Sequence, residues 1–267
     1  MKFKSMTAIF LLLCTVAIKG NAKEAITSVK HTETLSYNWY CKNNNRKTPP
    51  ELPSEFSFIE ENEGYYIDKK ANDENKVIYL TFDAGYENGN ISKILDVMKK
   101  HDAKGAFFVL GNLIKRDTEL VKRMVDEGHL VCNHTNSHRD MTKVNDIEKF
   151  KSELDSLNLI MKEYCGCELA PFYRPPEGRF SERNLKFAAE CGYKTIFWSF
   201  AYADWDNRKQ MSCEKAINKV LSHTHNGEVI LLHPTSSTNA AILDELLTSW
   251  EKEGYRFGTL YELVKKA

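Results

Sequence analysis

From Lys76 onward, short apolar runs alternate with amphipathic stretches. The apolar runs cover 77–82, 106–110, 129–132, 171–173, 193–198, 229–232 and 255–257. Between the first two, Ile91, Ile94, Leu95 and Met98 fall on one helical face, and Leu120, Met124 and Val125 do the same in the next stretch. Further helical patterns cover 147–164, 181–191, 216–221 and 241–250, and the Ser181-x-x-Asn184 opening of the second of these can cap a helix. Apolar spacing of i, i+3 and i+4 is the signature of a helix with one buried face, whereas short continuous runs suit strands buried on both faces. Gly128, Gly192, Gly227 and Gly254 each stand between a helical stretch and the next strand, where a left-handed residue ends a helix. This alternation predicts an α/β fold, a distorted (β/α) barrel of about seven parallel strands. No G-x-G-x-x-G follows the first strand, so an incomplete barrel fits better than an open dinucleotide-binding sheet.

Before residue 76 the pattern fades. Residues 23–75 are polar, broken by Pro49, Pro50 and Pro53, and carry Tyr37, Trp39, Tyr40, Tyr65 and Tyr66. They are expected to form an extended N-terminal segment lying on the main domain of residues 76–262, its aromatics packed against that domain rather than lining a sugar groove. Residues 1–22 read differently again. Lys2 and Lys4 precede an apolar run from Met6 to Ile18, and Gly20-Asn21-Ala22 offers small residues at a cleavage point. The run is too short to span a bilayer comfortably and suits a signal peptide, with an uncleaved anchor or a buried helix as the alternatives. The chain is then expected outside the cytoplasm, with no stable membrane insertion after processing.

Composition narrows the partners. The 267 residues carry a formal net charge of zero, which gives no electrostatic footprint for nucleic acid. Removing residues 1–22 takes away three lysines and no acid, leaving a net charge of about −3, which favours solubility. Six of the seven cysteines remain after processing, an even number, but their spacings match no small disulfide framework, and Cys165-Gly166-Cys167 is not a C-x-x-C pair. They are read as buried or incidental, with room for one bridged pair.

In a barrel, chemistry belongs at the C-terminal ends of the strands. There the sequence places Asp83, then His134 and His138, then Arg174, then Asp204-Trp205, then His233. Any one of these has an ordinary reading as a turn former, a hydrogen-bonded histidine or a solvated arginine. Five strand ends with such residues are hard to assign to chance. Two imidazoles four residues apart can share a divalent ion, which would polarise a carbonyl and acidify bound water. Asp83 is then available as a base and His233 as an acid. Asp204 can hold His233 in one tautomer, and Arg174 can hold Asp83 ionised. His223-x-His225 is a second histidine pair, expected at the surface of a helix end.

The order of these motifs resembles the NodB-type polysaccharide deacetylases of carbohydrate esterase family 4. Thr81-Phe82-Asp83 resembles T-F-D-D; His134-Thr135-x-x-His138 resembles H-[ST]-x-x-H; Arg174-Pro175-Pro176-Glu177-Gly178, Asp204-Trp205 and Leu231-Leu232-His233 resemble the remaining three. The resemblance covers about residues 76–262. It implies a distorted barrel and a divalent metal (zinc, manganese or cobalt) held by His134 and His138. It also implies hydrolysis of an acetyl group on a glycan, with Asp83 as base, His233 as acid, Arg174 orienting the base and Asp204 tuning the acid. Leu231 would line the pocket for the acetyl methyl, and Tyr173 and Trp205 join it as expected substrate contacts.

The departure is Ala84, where the family carries an aspartate that binds metal. One subgroup departs at the same place: the delta-lactam-biosynthetic de-N-acetylases resemble T-F-D-N-G-Y-E-N-G, and this chain keeps Gly85-Tyr86-Glu87-Asn88-Gly89. Tyr37-Asn38-Trp39-Tyr40 and Ala201-Tyr202-Ala203-Asp204-Trp205 are similar to that subgroup as well. The resemblance then implies a substrate, N-acetylmuramic acid in spore-cortex peptidoglycan, whose deacetylation permits muramic δ-lactam formation. Losing a negative ligand at 84 is expected to weaken metal affinity, with water, Asp83 or Glu87 as candidates for the vacancy and a helix cap as the other reading of Glu87. Deacetylation of N-acetylglucosamine and a catalytically weak glycan-binding pseudoenzyme are the competing readings.

Overall fold

A computed structural model describes residues 34–42 and 47–265. The expected signal peptide and Cys14 lie outside the described residues. The seven apolar runs all form strands: β3 (Val77–Ala84), β4 (Gly105–Val109), β5 (Leu130–Asn133), β6 (Ala170–Tyr173), β8 (Lys194–Ile196), β10 (Glu228–Leu232) and β11 (Arg256–Phe257). Three further short strands carry little apolar signal: β1 (Tyr37–Asn38), β7 (Arg179–Phe180) and β9 (Phe200–Ala201). A fourth, β2 (Gly64–Tyr65), comes from the N-terminal segment and pairs with β8.

The main sheet runs β2-β8-β6-β5-β4-β3-β10-β9, every neighbouring pair parallel, with β11 added to the start of β3. β8 and β9 stand at opposite sides of that order, yet only three residues separate them. A single bent segment, 194–201, therefore pairs with β6 at its start and with β10 at its end, which closes the curled sheet into a distorted barrel. Residue alternation splits the core accordingly. Ile78, Leu80, Phe82 and Ala84 face the helices, whereas Val77, Tyr79, Phe108, Cys132 and Phe172 belong to the barrel interior.

The helices are α1 (Phe58–Glu61), α2 (Ile91–Lys100), α3 (Gly111–Arg116), α4 (Thr118–Asp126), α5 (Ile147–Cys165), α6 (Glu182–Glu190), α7 (Cys213–His223), α8 (Ser237–Lys252) and α9 (Leu260–Leu263). Ser181 caps α6 by accepting the Asn184 N–H, as its spacing suggests. The four glycines expected to end helices all adopt positive φ. In α4 Met124 is buried and Leu120 packs half-buried against the core as expected, while Val121 is buried in place of Val125, which is exposed.

The N-terminal segment packs through its aromatics. Trp39 is buried, stacks on Phe197 at 4.4 Å between centroids, and donates its indole N–H to the Trp198 carbonyl at 2.9 Å. Phe56, Phe180 and Tyr66 complete that cluster. The segment thus backs the bend that closes the barrel.

Candidate active site

Asp83, the last residue but one of β3, holds its carboxylate inside the barrel. Arg174 Nη1 donates to Asp83 Oδ1 at 2.9 Å. The same guanidinium donates to the Ile196 and Phe197 carbonyls and to Thr81 Oγ1, and it lies over the Phe108 ring at 4.2 Å. Arg174 is 0% exposed, so its charge is balanced inside the protein, and it braces β3 against the 194–201 bend. Burial by itself would raise the Asp83 carboxyl. His134, Arg174 and His233 around it, with the Arg174 hydrogen bond, outweigh burial and hold it below the usual carboxylate range. Of these neighbours, Arg174 carries its charge at every relevant pH.

The loop after β5 presents the two histidines. Asn133 Oδ1 accepts the Thr135 N–H, and Thr135 Oγ1 accepts the His138 N–H at 2.9 Å. Thr135 and His138 both take left-handed φ, 69° and 56°, a cost that the local hydrogen bonds help to meet. The two rings meet edge to face with centroids 5.1 Å apart. His134 Nδ1 donates to the Arg174 carbonyl at 2.9 Å. Nε2 is then the lone-pair nitrogen, and it stands 3.6 Å from Asp83 Oδ2. Burial, opposed by Asp83, pushes the His134 imidazolium down to about 4, so the ring is neutral at pH 7. Two acceptors facing each other beyond hydrogen-bond distance suit a cation between or beside them, and a ring N–H fixed on a backbone carbonyl is how ligating histidines are oriented. Among the described residues no group of three or more His, Cys, Asp or Glu side chains is arranged to hold a metal ion. The donor set therefore fits an open site built on two imidazoles. Glu87 does not fill the position that Ala84 leaves, because its two oxygens accept the Gly89 and Ile91 N–H groups at the start of α2.

His233 follows β10. Its Nδ1 lies 2.7 Å from Asp204 Oδ1, and its backbone N–H donates to Asp204 Oδ2 at 2.8 Å. Burial lowers the His233 imidazolium, but the Asp204 hydrogen bond and charge, aided by Asp83, more than reverse this and raise it above its ordinary value. Two side chains that sequence reasoning missed support this pair. Asn239 Nδ2 donates to Asp204 Oδ2, and Gln210 Nε2 donates to the Asp204 and Asp206 carbonyls. Gln210 Oε1 also accepts from Ser236 Oγ, which ties the 204–210 loop to the start of α8. Asn88 and Asn90 both donate to the Thr235 carbonyl and fasten the loop after β3 to the loop after β10.

These groups open into one cavity of about 790 Å³ lined by Asp83, His134, His138 and His233. Leu231 and Trp205 line it too. Trp205 is 60% exposed, its ring 6.2 Å from that of His233, and Tyr86 and Trp198 add further aromatic wall. Glu177, at φ 57°, stands at the rim paired with Arg179. Gly178 has φ 65°, and a Cβ there would sit 2.8 Å from Trp198 Cη2 and 3.1 Å from Trp39 Cβ. Tyr173, expected to touch substrate, is a correction: it is 1% exposed and packs edge to face on Phe150 in the core, because the residue next to the inward Arg174 points the other way. His225 is a second correction. It is buried, not at the surface, with Nε2 at 2.9 Å from Ser199 Oγ and Nδ1 at 2.9 Å from the His223 carbonyl.

The sequence profile of the polysaccharide deacetylases matches residues 70–196. An uncharacterised 30.6 kDa protein of Geobacillus stearothermophilus is 44% identical over 85% of this chain and 84% of its own length. The peptidoglycan-N-acetylmuramic acid deacetylase PdaA of Bacillus subtilis is 40% identical over 85% of each chain. The solved structure of PdaA, described as a family 4 carbohydrate esterase, superposes with a TM-score of 0.81 at 39% identity, covering 86% of this chain and 97% of that one. A family 4 pseudoenzyme from Bacillus anthracis superposes with a TM-score of 0.67 at 27% identity, over 76% of this chain and 69% of that one.

Proposed function

The chain belongs to the polysaccharide deacetylases of carbohydrate esterase family 4, and we propose that it removes the acetyl group from N-acetylmuramic acid in peptidoglycan. The observation that carries the reaction is a pair of titratable groups pushed apart at one cavity. Arg174 keeps Asp83 ready to accept a proton, and Asp204 keeps His233 ready to donate one. In the reaction, Asp83 takes a proton from the attacking water as its oxygen bonds to the acetyl carbonyl carbon. His233 then gives its Nε2 proton to the amide nitrogen as the C–N bond breaks, which leaves acetate and a free amine. Leu231 faces the acetyl methyl, and Trp205 offers a stacking surface to the sugar ring. A divalent ion held by His134 and His138 would supply Lewis-acid polarisation of the carbonyl.

The choice of muramic acid is supported by the likeness to PdaA across 85% of both chains and by the Gly85–Gly89 stretch. The free amine can then cyclise on the lactyl carboxylate, and in this reading the chain acts in spore-cortex formation. Residues 1–22 serve as a signal peptide in this reading, and the substrate lies outside the membrane. No helix among the described residues is long and apolar enough to cross a membrane.

Mass spectrometry of peptidoglycan treated with the purified chain tests the proposal, using intact strands and strands stripped of stem peptides. Loss of acetyl from muramic acid in stripped strands is expected. Loss from glucosamine would keep the reaction and overturn the substrate. A glycan-binding pseudoenzyme is the second reading, and Ala84 is the observation that favours it. Retained acetyl groups with added zinc, manganese and cobalt, together with measurable glycan binding, would establish it.

A further inference from the structure

Behind the cavity, four polar side chains form a line with a fixed direction. The Tyr202 hydroxyl donates to Asn239 Oδ1. Asp204 Oδ2 and the His233 carbonyl only accept, so the amide end that meets them, at 2.6 Å and 3.0 Å, is Nδ2, and Oδ1 is left to take the phenol hydrogen. The backbone N–H of His233 donates to the same Oδ2. With Oδ2 occupied twice, Oδ1 is reserved for His233 Nδ1. Tyr202, Asn239 and Asp204 are all buried. Asn239 stands in the first turn of α8, where its own N–H donates to the capping Ser236 Oγ at 3.1 Å, so a rigid element carries it.

We propose that Asn239, backed by Tyr202, is the positioning residue that aims Asp204 at His233 and so keeps the His233 Nε2 proton available for transfer. The proposal rests on the reading of His233 as the acid. The charged groups facing His233 are Asp204 from the segment after β9, Asp83 from β3 and Arg174 from the end of β6. Asn239 is neutral; of these groups it hydrogen-bonds only Asp204, and its second bond, to the His233 carbonyl, holds the backbone there rather than the ring. An amide suits the place. It offers hydrogens to the carboxylate without adding charge, and its oxygen anchors on a phenol. A fully satisfied buried network of this kind holds one geometry, and a gap in it leaves a buried oxygen without its donor.

The test uses the purified chain labelled at histidine Cε1, with His233 titrated by NMR in the absence of substrate. In Asn239→Ala the His233 pKa is expected to fall toward its ordinary value, with a smaller fall in the same direction in the milder Tyr202→Phe. Steady-state kinetics should show kcat lower by about tenfold to a hundredfold with KM little changed, because misaiming a proton donor acts on the transition state. In an Asp204→Asn background, adding Asn239→Ala should change kcat by less than about twofold, since both act on one interaction. A His233 titration that stays put or moves upward in both variants overturns the proposal, as do fully additive losses of kcat. The titration needs no turnover, so it decides the matter even for a chain that deacetylates nothing.

Discussion

A β-strand sends neighbouring side chains to opposite faces, and at the end of β3 this separates Asp83 from Ala84. Thr81 and Asp83 reach Arg174 inside the barrel, whereas Leu80, Phe82 and Ala84 belong to the core under the helices. Asp83→Asn should cost about 10²- to 10⁴-fold in kcat, the usual range for a lost general base, while glycan binding measured by pull-down stays within a few-fold. Ala84→Asp places a carboxylate where exposure is 0%, a costly burial unless a cation meets it. Its melting temperature should drop in chelator and recover with Zn²⁺ by more than the wild type gains. A melting temperature indifferent to Zn²⁺ in both proteins would place no ion at this end of β3. For His233 the sign is set by Asp204: the raised imidazolium carries the alkaline limb of kcat/KM upward, so Asp204→Asn should move that limb to lower pH. The positions of Asp83, His134, His138, Arg174, Asp204 and His233 around one cavity were legible because each follows an apolar run. Asn239 and Gln210 were not, because a polar residue in a first turn or a loop reads locally as a cap or as solvated surface.

Among the elements, the 194–201 bend has the widest influence. The apolar pattern marks one strand over 193–198, and the segment holds two, β8 and, beyond that run, β9, joined by Phe197-Trp198-Ser199. No local signal marks the bend, because what imposes it lies elsewhere in the chain. Arg174 holds the Ile196 and Phe197 carbonyls, and Trp39 with Cys41 holds that of Trp198. Gly178 shows how tight this corner is. Its φ of 65° already disfavours a side chain, and the space for one is taken by Trp198 and Trp39. Gly178→Ala should therefore destabilise the fold by at least about 1–2 kcal/mol, the left-handed penalty alone, in urea titrations. Because Trp198 walls the cavity, glycan affinity should fall with it. A variant as stable as the wild type would mean that the loop relaxes freely. Tyr173 shows the same alternation in reverse: its place beside Arg174 in sequence is what turns it away from the site.

At the scale of the whole molecule, buried ionisable groups limit stability from both sides of neutrality. Burial pushes His129 and His225 down to about 4, so the unfolded chain binds more protons below about 6.5 and stability is lost as pH falls from there toward 4. Glu228 is the opposite case. Burial raises its carboxyl to about 8, so its contribution is intact only below the ordinary carboxylate range and is lost as pH climbs toward and through 8. Urea unfolding across this range should show Glu228→Gln gaining most on the wild type at pH 8–9 and least near pH 4, with the acid side unchanged. The N-terminal segment belongs to the same whole: polar in sequence and outside the profile match that begins at residue 70, it still supplies β2 to the sheet and Trp39 to the bend. The packing of its aromatics was expected from the sequence, whereas β2 was illegible, because a two-residue strand has no period to detect. The ionisable walls of the cavity, finally, are Asp83, Glu177, three histidines and two tyrosines, with neither lysine nor arginine among the described residues that line it. An anionic sugar therefore meets no long-range attraction at the mouth, and mobile ions have little favourable field to screen. Turnover followed from low to high ionic strength should hold level or climb, and a steep decline would mean that cations beyond the cavity draw the glycan in.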